Sequence, residues 1–203
     1  YGFPSFLIGV DDLAIKMKKP TILWGASIGP FTKNKNIETI MAKHLSNMSL
    51  ITVRETLSEE YVKINLSLQN TMLFPDSAFS LQPKHVDLRS FWPIDNQDRV
   101  IGLNVSPYLQ RFGDNSVDYV NEFCSFIEAL IKDHNCSVLL IPHVIFRSNT
   151  SEDDLSILRK IYLRLNHLTA KVSLLDNQHD SAQIKYIISN CKYFIGARTH
   201  STI

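Results

Sequence analysis

The sequence predicts an α/β protein made of two lobes, each built around a mainly parallel β-sheet. Short apolar runs, each stopped by glycine, proline or a polar residue, alternate along the chain with capped amphipathic segments. Such alternation is typical of parallel strands joined by right-handed crossovers. A polar stretch punctuated by proline, residues 80–98, divides the pattern into two halves. We therefore place one lobe at residues 1–90 and the other at 91–203, with the two meeting near residues 86–98.

Composition places the chain among ordinary globular proteins. The 203 residues are 44% hydrophobic and 20% charged, enough for one large or two small domains. A net charge of +1 argues against nucleic acid or an anionic membrane surface as the main partner, so an anion site must arise from local geometry. No apolar run reaches the ~18 residues of a membrane span, and no signal-peptide pattern is present. The three cysteines have no zinc or redox spacing, which favours free thiols in a reducing compartment.

The N-terminal half contains three apolar runs that predict parallel strands. These strands are predicted over residues 21–25, 49–53 and 71–74. Apolar residues at helical spacing after Asn36, a candidate cap, predict the first helix, with His44 at the edge of the core. The capping box at residues 56–59 predicts a second, shorter helix. Residues 6–10 fit either a strand or a loop packed on the core.

The C-terminal half repeats the same strand–helix–strand rhythm, which predicts two Rossmann-like lobes. Its strands are predicted over residues 99–105, 137–141, 171–175 and 192–196. The segment Val120–Ile131 has the clearest apolar face of a helix, residues 151–154 cap the next helix, and Asp180 caps the last. Phe91 and Trp92 are expected to pack the linker onto one of the domains.

Polar side chains follow every predicted strand at its carboxyl end. In open α/β sheets this edge is where ligands bind, although polar loop residues occupy the same edge in every protein of the class. The set is Ser27, Arg54, Asp76, Ser106, His143, Asp176, Arg198 and His200.

The last of these strand ends carries a cation, a hydroxyl and an imidazole in consecutive positions, Arg198, Thr199 and His200. Arginine offers a planar fork for carboxylate or phosphate, and histidine transfers protons near neutral pH. The alternative is an ordinary strand-to-helix turn capped by Thr199 or Ser201. His143 could converge with His200, but no metal-ligand spacing is present, so we expect no metal.

Arg54 lies between a strand end and a helix N-terminus, a natural place for an anion. The alternative here is a surface ion pair with Glu55 or Glu59, worth roughly 0–1 kcal/mol.

The segment Arg198–Ile203, after a strand that ends Ile195-Gly196-Ala197, resembles the signature of the polysaccharide pyruvyl transferase family. Upstream segments resemble the family in the same order. They are residues 25–31, 53–55 with Ser58 and Tyr61, 75–79, 101–106 and 140–143. The family's N-terminal loop rich in Gly, Asn and Asp is not found. We therefore expect a chain truncated at both ends, resembling the middle of a longer enzyme and inactive alone.

The resemblance implies transfer of a pyruvyl group from phosphoenolpyruvate to sugar hydroxyls of a cell-surface polysaccharide or its precursor, which forms a pyruvate ketal. It also implies two facing lobes, similar to the glycosyltransferase-B architecture. His200 would transfer a proton, and Arg198 and Arg54 would bind the donor's anionic groups from opposite walls of a cleft. The remaining residues implied in substrate binding are Thr199, Ser201, Ser27, Ser106, His143 and Asp76.

Two other functions stay open from the sequence. One is a sugar-nucleotide-dependent glycosyltransferase or epimerase on a similar two-lobed fold, and the other is a non-catalytic remnant that binds glycan. For the transferase we expect no cofactor, since phosphoenolpyruvate is the donor substrate. Its partners would be this donor and a glycan or lipid-linked oligosaccharide, with no nucleic acid and no integral membrane segment. We expect a cytoplasmic location, with peripheral association at the inner face of the membrane as the alternative.

Overall fold

The protein forms two compact units, Tyr1–Ser80 and Leu81–Ile203, each with its own sheet. The computed structural model describes residues 5–31, 34–109, 113–114, 116–146, 153–176 and 179–203. Every strand pair in both sheets is parallel, which confirms the predicted α/β class with two Rossmann-like units. All seven predicted strands are present, and no strand end differs from its prediction by more than one residue.

The N-terminal unit is a three-stranded sheet in the order β1-β2-β3. The strands are β1 (Ile22–Ala26), β2 (Leu50–Val53) and β3 (Thr71–Leu73). Helix α2 (Lys35–Ser46) connects β1 to β2 and packs Leu45 against Ile51 and Val53 in the core. Its cap is Asn34, whose side chain accepts hydrogen bonds from two backbone N–H groups. The prediction that Asn36 caps the helix was therefore wrong by two residues.

Helix α1 (Ser5–Lys16) corrects the prediction of a strand or loop at residues 6–10. Five residues are too few to show a helical period, and the decisive contact is distant in sequence. Asp11 and Asp12 of α1 pair with the buried His44 of α2, at 3.4 Å from Nε2 and 3.0 Å from Nδ1. This confirms that His44 lies at the edge of the core.

Helix α3 (Thr56–Glu60) continues directly into a single π-helical segment, Tyr61–Asn65. The predicted capping box at residues 56–59 was wrong, because the residue that precedes the helix is Glu55. Its carboxylate accepts a hydrogen bond from the Ser58 hydroxyl (2.6 Å) and caps no backbone N–H.

The C-terminal unit is a four-stranded sheet in the order β6-β5-β4-β7. The strands are β4 (Val100–Asn104), β5 (Ser137–Leu140), β6 (Val172–Leu174) and β7 (Tyr193–Gly196), and the helices are α4 (Tyr119–His134), α5 (Asp154–Arg164) and α6 (Ser181–Ser189). Alternate strand residues point to opposite faces of the sheet. Val138 and Leu140 share one core cluster with α4 and α5, whereas Leu139 shares the other with α6.

The predicted caps of the later helices hold where the structure describes them. Asp180 caps α6 through a capping box with Gln183, as predicted. Asp153 caps α5, while Ser151 and Glu152 of the predicted cap lie outside the described residues. Phe91 is buried in the α6 core cluster, and Trp92 packs against that cluster. Among the described helices, none is long and apolar enough to cross a membrane.

Candidate active site

Asp154, the first residue of α5, is fully buried and accepts hydrogen bonds through both carboxylate oxygens. Its Oδ2 accepts from the backbone N–H groups of His143 (3.2 Å) and Val144 (3.0 Å) and from Asn104 Nδ2 (3.1 Å). Its Oδ1 accepts from Nη2 (2.7 Å) and Nε (3.3 Å) of Arg198. Because Asn104 ends β4 and the other two segments follow β5 and β7, one carboxylate joins the carboxyl ends of three neighbouring strands.

Asn104 connects the same three strand ends a second time. Its Nδ2 also donates to the Ile141 carbonyl (3.0 Å), and its Oδ1 accepts from the Ala197 backbone N–H (3.3 Å). The side chain is only 2% exposed, so these bonds satisfy an amide that would otherwise be costly to bury. The positions of the segments that follow β5 and β7 are therefore fixed by side chains as well as by the strand ladder.

Arg198 is a partly buried cation held between Asp154 and an aromatic ring. Its side chain is 17% exposed, and its Cζ lies 4.8 Å from the centre of the Tyr108 ring. Burial alone lowers the pKa of Arg198, but the hydrogen bonds and charges of Asp154 and Tyr108 outweigh it and raise the pKa. The guanidinium thus stays charged, and its orientation is set before any ligand arrives.

Thr199, His200 and Ser201 form a single 3₁₀ turn directly after Arg198. Thr199 and His200 are exposed, whereas Ser201 is buried and its Oγ donates to the Arg198 carbonyl (2.6 Å). No side chain caps the turn, so neither Thr199 nor Ser201 has the capping role considered from the sequence. A Cβ at Gly196 would lie 2.6 Å from Ser201 Oγ, so only glycine allows the turn to fold back so closely.

His143 follows β5 and is half-buried. Its Nδ1 is buried and has no hydrogen-bond partner among the described residues. An unpaired buried polar atom costs about 1–3 kcal/mol, so such atoms are rare without a reason. Burial lowers the pKa of His143; the charge of Asp154 opposes this, and those of His200 and Arg198 lower the pKa further.

Ser106 lies at the end of the segment that follows β4. Its side chain is buried, and its Oγ accepts from the Tyr108 backbone N–H (3.3 Å). Ser106 therefore holds the turn that places the Tyr108 ring against Arg198. Asp176, after β6, instead forms an exposed pair with Arg159.

Three of the predicted residues meet in the N-terminal unit, where Arg54 bonds to both others. Its Nη1 donates to Asp76 Oδ2 (2.7 Å) and its Nε donates to Ser27 Oγ (2.9 Å). Asp76 is 9% exposed, and its second oxygen accepts from the Ala78 backbone N–H (2.9 Å). Like Arg198, Arg54 is thus a cation close to a strand end, and a buried aspartate orients it.

The surface ion pairs considered for Arg54 are not its main contacts. Glu55 Oε2 lies 3.9 Å from Arg54 Nε and accepts a hydrogen bond from Ser27 Oγ (3.1 Å). Glu59 pairs instead with Lys63, at 2.7 Å. Asp76 is accordingly the carboxylate that positions this arginine.

Histidine, cysteine and carboxylate side chains do not cluster as metal ligands in the part of the chain that the structure describes. No group of three or more of them there could hold a metal ion.

Comparison with known proteins identifies the family. The profile described as polysaccharide pyruvyl transferase matches residues 1–203, the whole chain. The chain belongs to the polysaccharide pyruvyl transferase family. It is also similar to the amylovoran biosynthesis protein AmsJ of Erwinia amylovora, with 23% identity over 202 residues that cover 94% of this chain and 47% of that protein. The chain thus spans about half the length of this curated relative.

In this polysaccharide pyruvyl transferase family member, the segment Arg198–Ile203 directly follows β7 at the carboxyl edge of the C-terminal sheet. Its first residue, Arg198, contacts Asp154.

Sequence analysis missed Asp154 and Asn104 as site residues. Asp154 was assigned only to a helix cap, and its ion pair with Arg198 spans 44 positions that no local pattern connects. Asn104 did carry a signal, since an amide inside the apolar run 100–105 must find buried partners. That signal points to a buried polar network but does not identify its members.

Proposed function

We propose that this family member transfers the pyruvyl group of phosphoenolpyruvate to hydroxyls of a cell-surface polysaccharide or its precursor, forming a pyruvate ketal. The observation that carries the proposal is the Arg198–Asp154 pair, a cation pre-oriented at the strand edge of a pyruvyl transferase family chain. The similarity to a protein of amylovoran biosynthesis supports a polysaccharide-related acceptor.

The reaction requires a cation for the anionic donor, and Arg198 meets this requirement. Two N–H groups of the guanidinium donate to Asp154, and the planar fork of arginine suits the carboxylate and the phosphate of the donor. Because the side chain is largely removed from water, such charge-assisted bonds are stronger than they would be at the surface. Arg54, oriented by Asp76, provides a second cation for an anionic substrate group.

The reaction also moves protons. The methylene carbon C3 of the donor gains a proton, while each attacking hydroxyl loses one. His200 lies on the exposed turn directly after Arg198, and we propose that it donates the proton that C3 gains. Atoms and electrons balance without a cofactor, because the donor and two hydroxyls give one ketal and one phosphate.

The other substrate-binding assignments rest on position at the strand edge. Thr199 is exposed on the same turn as His200, where its hydroxyl or backbone N–H can contact the donor. The hydroxyl hydrogens of Ser201 and Ser27 bond to the Arg198 carbonyl and to Glu55, so we assign these serines to holding the two arginines. The three free cysteines agree with a reducing cytoplasm, where we place the reaction.

The test combines the complete natural protein with phosphoenolpyruvate and the surface polysaccharide of the source organism, freed of ketals by mild acid. We expect phosphate release together with a new ketal methyl signal on the polysaccharide in proton NMR. Thermal-shift measurements should show stabilisation by phosphoenolpyruvate but not by nucleotide sugars, because a ligand that binds only the folded state raises its stability. Stabilisation by nucleotide sugars alone, without ketal formation, would favour the glycosyltransferase or epimerase alternative.

A further inference from the structure

We propose that His143 is a second catalytic histidine, which takes the proton from the attacking acceptor hydroxyl and later gives it to the departing phosphate. This inference rests on the proposed function. Ketal formation needs a proton acceptor as well as a proton donor, and His200 can hold only one of these roles at a time. The structure places a second imidazole at the same strand edge.

The geometry ties His143 to the donor-binding arginine. The backbone N–H of His143 donates to one oxygen of Asp154 (3.2 Å), and Arg198 Nη2 donates to the other (2.7 Å). The following residue, Val144, donates to Asp154 as well (3.0 Å), so the backbone is held on both sides of the His143 carbonyl. The backbone of His143 is therefore fixed relative to the cation that we assign to the donor.

One ring nitrogen of His143 has no hydrogen-bond partner in the part of the chain that the structure describes. Nδ1 is buried, and none of the described residues forms a hydrogen bond with it. His143 as a whole is half-buried, so a substrate hydroxyl can approach the residue at the carboxyl edge of the sheet.

The charges around His143 keep it in the form that accepts a proton. The charged groups that act on it are Asp154 from α5 and Arg198 and His200 from the segment after β7. Burial, His200 and Arg198 lower its pKa, and only Asp154 raises it. The ring is consequently neutral at neutral pH, whereas a protonated imidazole could not act as a base.

The two histidines then complete a balanced cycle. His200 gives its proton to C3 of the donor, and the first acceptor oxygen forms a bond to C2 while its proton passes to His143. His143 returns that proton to the phosphate as the C2–O bond to phosphate breaks. The second acceptor hydroxyl attacks C2 and gives its proton to His200, so that both rings return to their starting forms.

The experiment compares His143→Gln with wild type in ketal formation from phosphoenolpyruvate and depyruvylated polysaccharide. We expect kcat to fall about 10²–10⁴-fold, with the KM for the donor unchanged, because the base acts in the transition state. The acid limb of the kcat–pH profile should disappear. Added imidazole should restore turnover to His143→Ala, an effect that a merely structural residue would not show.

His179→Gln is the matched control, because His179 Nε2 is also buried without a partner among the described residues and its ring packs against Phe91. It should keep wild-type turnover. Normal kcat in His143→Gln, or a loss without imidazole rescue in a folded His143→Ala, overturns the assignment of His143 while the proposed function stands. A wild-type protein that forms no ketal overturns both.

Discussion

The Asp154 carboxylate and the Arg198 guanidinium form an ion pair of 2.7 Å in which the acid is fully buried and the base is 17% exposed. Removing one partner of such a pair leaves the other without its counter-charge in a poorly solvated place. Breaking a buried pair in this way typically costs about 3–5 kcal/mol. The pair therefore gives separate predictions for stability and for donor binding.

Asp154→Asn should strongly destabilise the protein, since an amide cannot serve both the Arg198 fork and three N–H donors. Urea denaturation should show a lower midpoint with an unchanged m-value. Asp180→Asn is the control, because it removes an aspartate at the N-terminus of another helix in the same unit, but an exposed one. An equal loss in both variants would show that the buried ion pair adds nothing beyond an aspartate near a helix N-terminus.

Arg198→Lys should raise the dissociation constant for phosphoenolpyruvate, because a point-charge ammonium cannot replace the planar fork. If Asp154 acts on the donor through Arg198, adding Asp154→Asn to Arg198→Lys should weaken binding little further. Calorimetric titration of the two single variants and the double variant measures this coupling. Fully additive losses would mean that Asp154 does not act through the arginine.

His200→Ala should lower kcat by about 10²–10⁴-fold and leave donor binding near the wild-type value, because the imidazole acts in the transition state. Isothermal titration with phosphoenolpyruvate separates the two effects. His167→Ala is the control, since His167 pairs with Glu128 at an exposed position of the same unit. Near-normal ketal formation by the His200 variant would contradict its assigned role.

The fold could be predicted from sequence because the strands are short apolar runs with clear stops. In parallel sheets both faces are covered, so a strand such as residues 137–140 is buried along its whole length and appears as a continuous run. Once the strands were located, their carboxyl ends were known as well, and Arg198 and His200 could be recognised as residues that follow the last strand. Local hydrophobicity and local capping were sufficient for this part of the prediction.

The contacts around those residues could not be predicted, because they join distant parts of the chain. The Arg198 partner lies in a different helix, and the pairs of Asp11 and Asp12 with His44 join two helices of the N-terminal unit. An arginine at a strand end looks the same in sequence whether it faces water or a buried carboxylate. Pairing of this kind depends on tertiary geometry, which periodicity does not encode.

His143 should make stability depend on pH. Its pKa in the folded protein lies below the ordinary 6.5, so between the two values the unfolded chain binds more protons. The stability that the protein has with a neutral His143 is therefore fully present above about pH 6.5, and it decreases as the pH falls toward the pKa of His143 in the folded protein. Melting temperatures measured from pH 7.5 to 5.5 should fall more steeply for wild type than for His143→Gln. Identical slopes would show that His143 titrates normally.

Gly25 lies in β1, and Gly29 lies in the loop that follows this strand. Gly25 and Gly29 both have positive φ, 61° and 79°. A Cβ at Gly25 would meet no atom within 4 Å, whereas a Cβ at Gly29 would overlap the ring carbons of Tyr61. The Tyr61 ring cannot easily move, since its hydroxyl accepts from Phe31 N (3.0 Å) and donates to Glu38 (2.9 Å).

Gly29→Ala should therefore destabilise the protein more than Gly25→Ala does. Gly25→Ala adds only the cost of a left-handed backbone at alanine, about 1–2 kcal/mol. Gly29→Ala adds a similar backbone strain and, in addition, an overpacking cost of roughly 1–3 kcal/mol. Urea denaturation of the two variants, side by side, measures the difference. The same loop carries Ser27, which holds Arg54, so Gly29→Ala should also weaken any anion binding that depends on Arg54. Equal midpoints for the two variants would mean that the Tyr61 ring yields and that the close approach to Gly29 does not fix the loop.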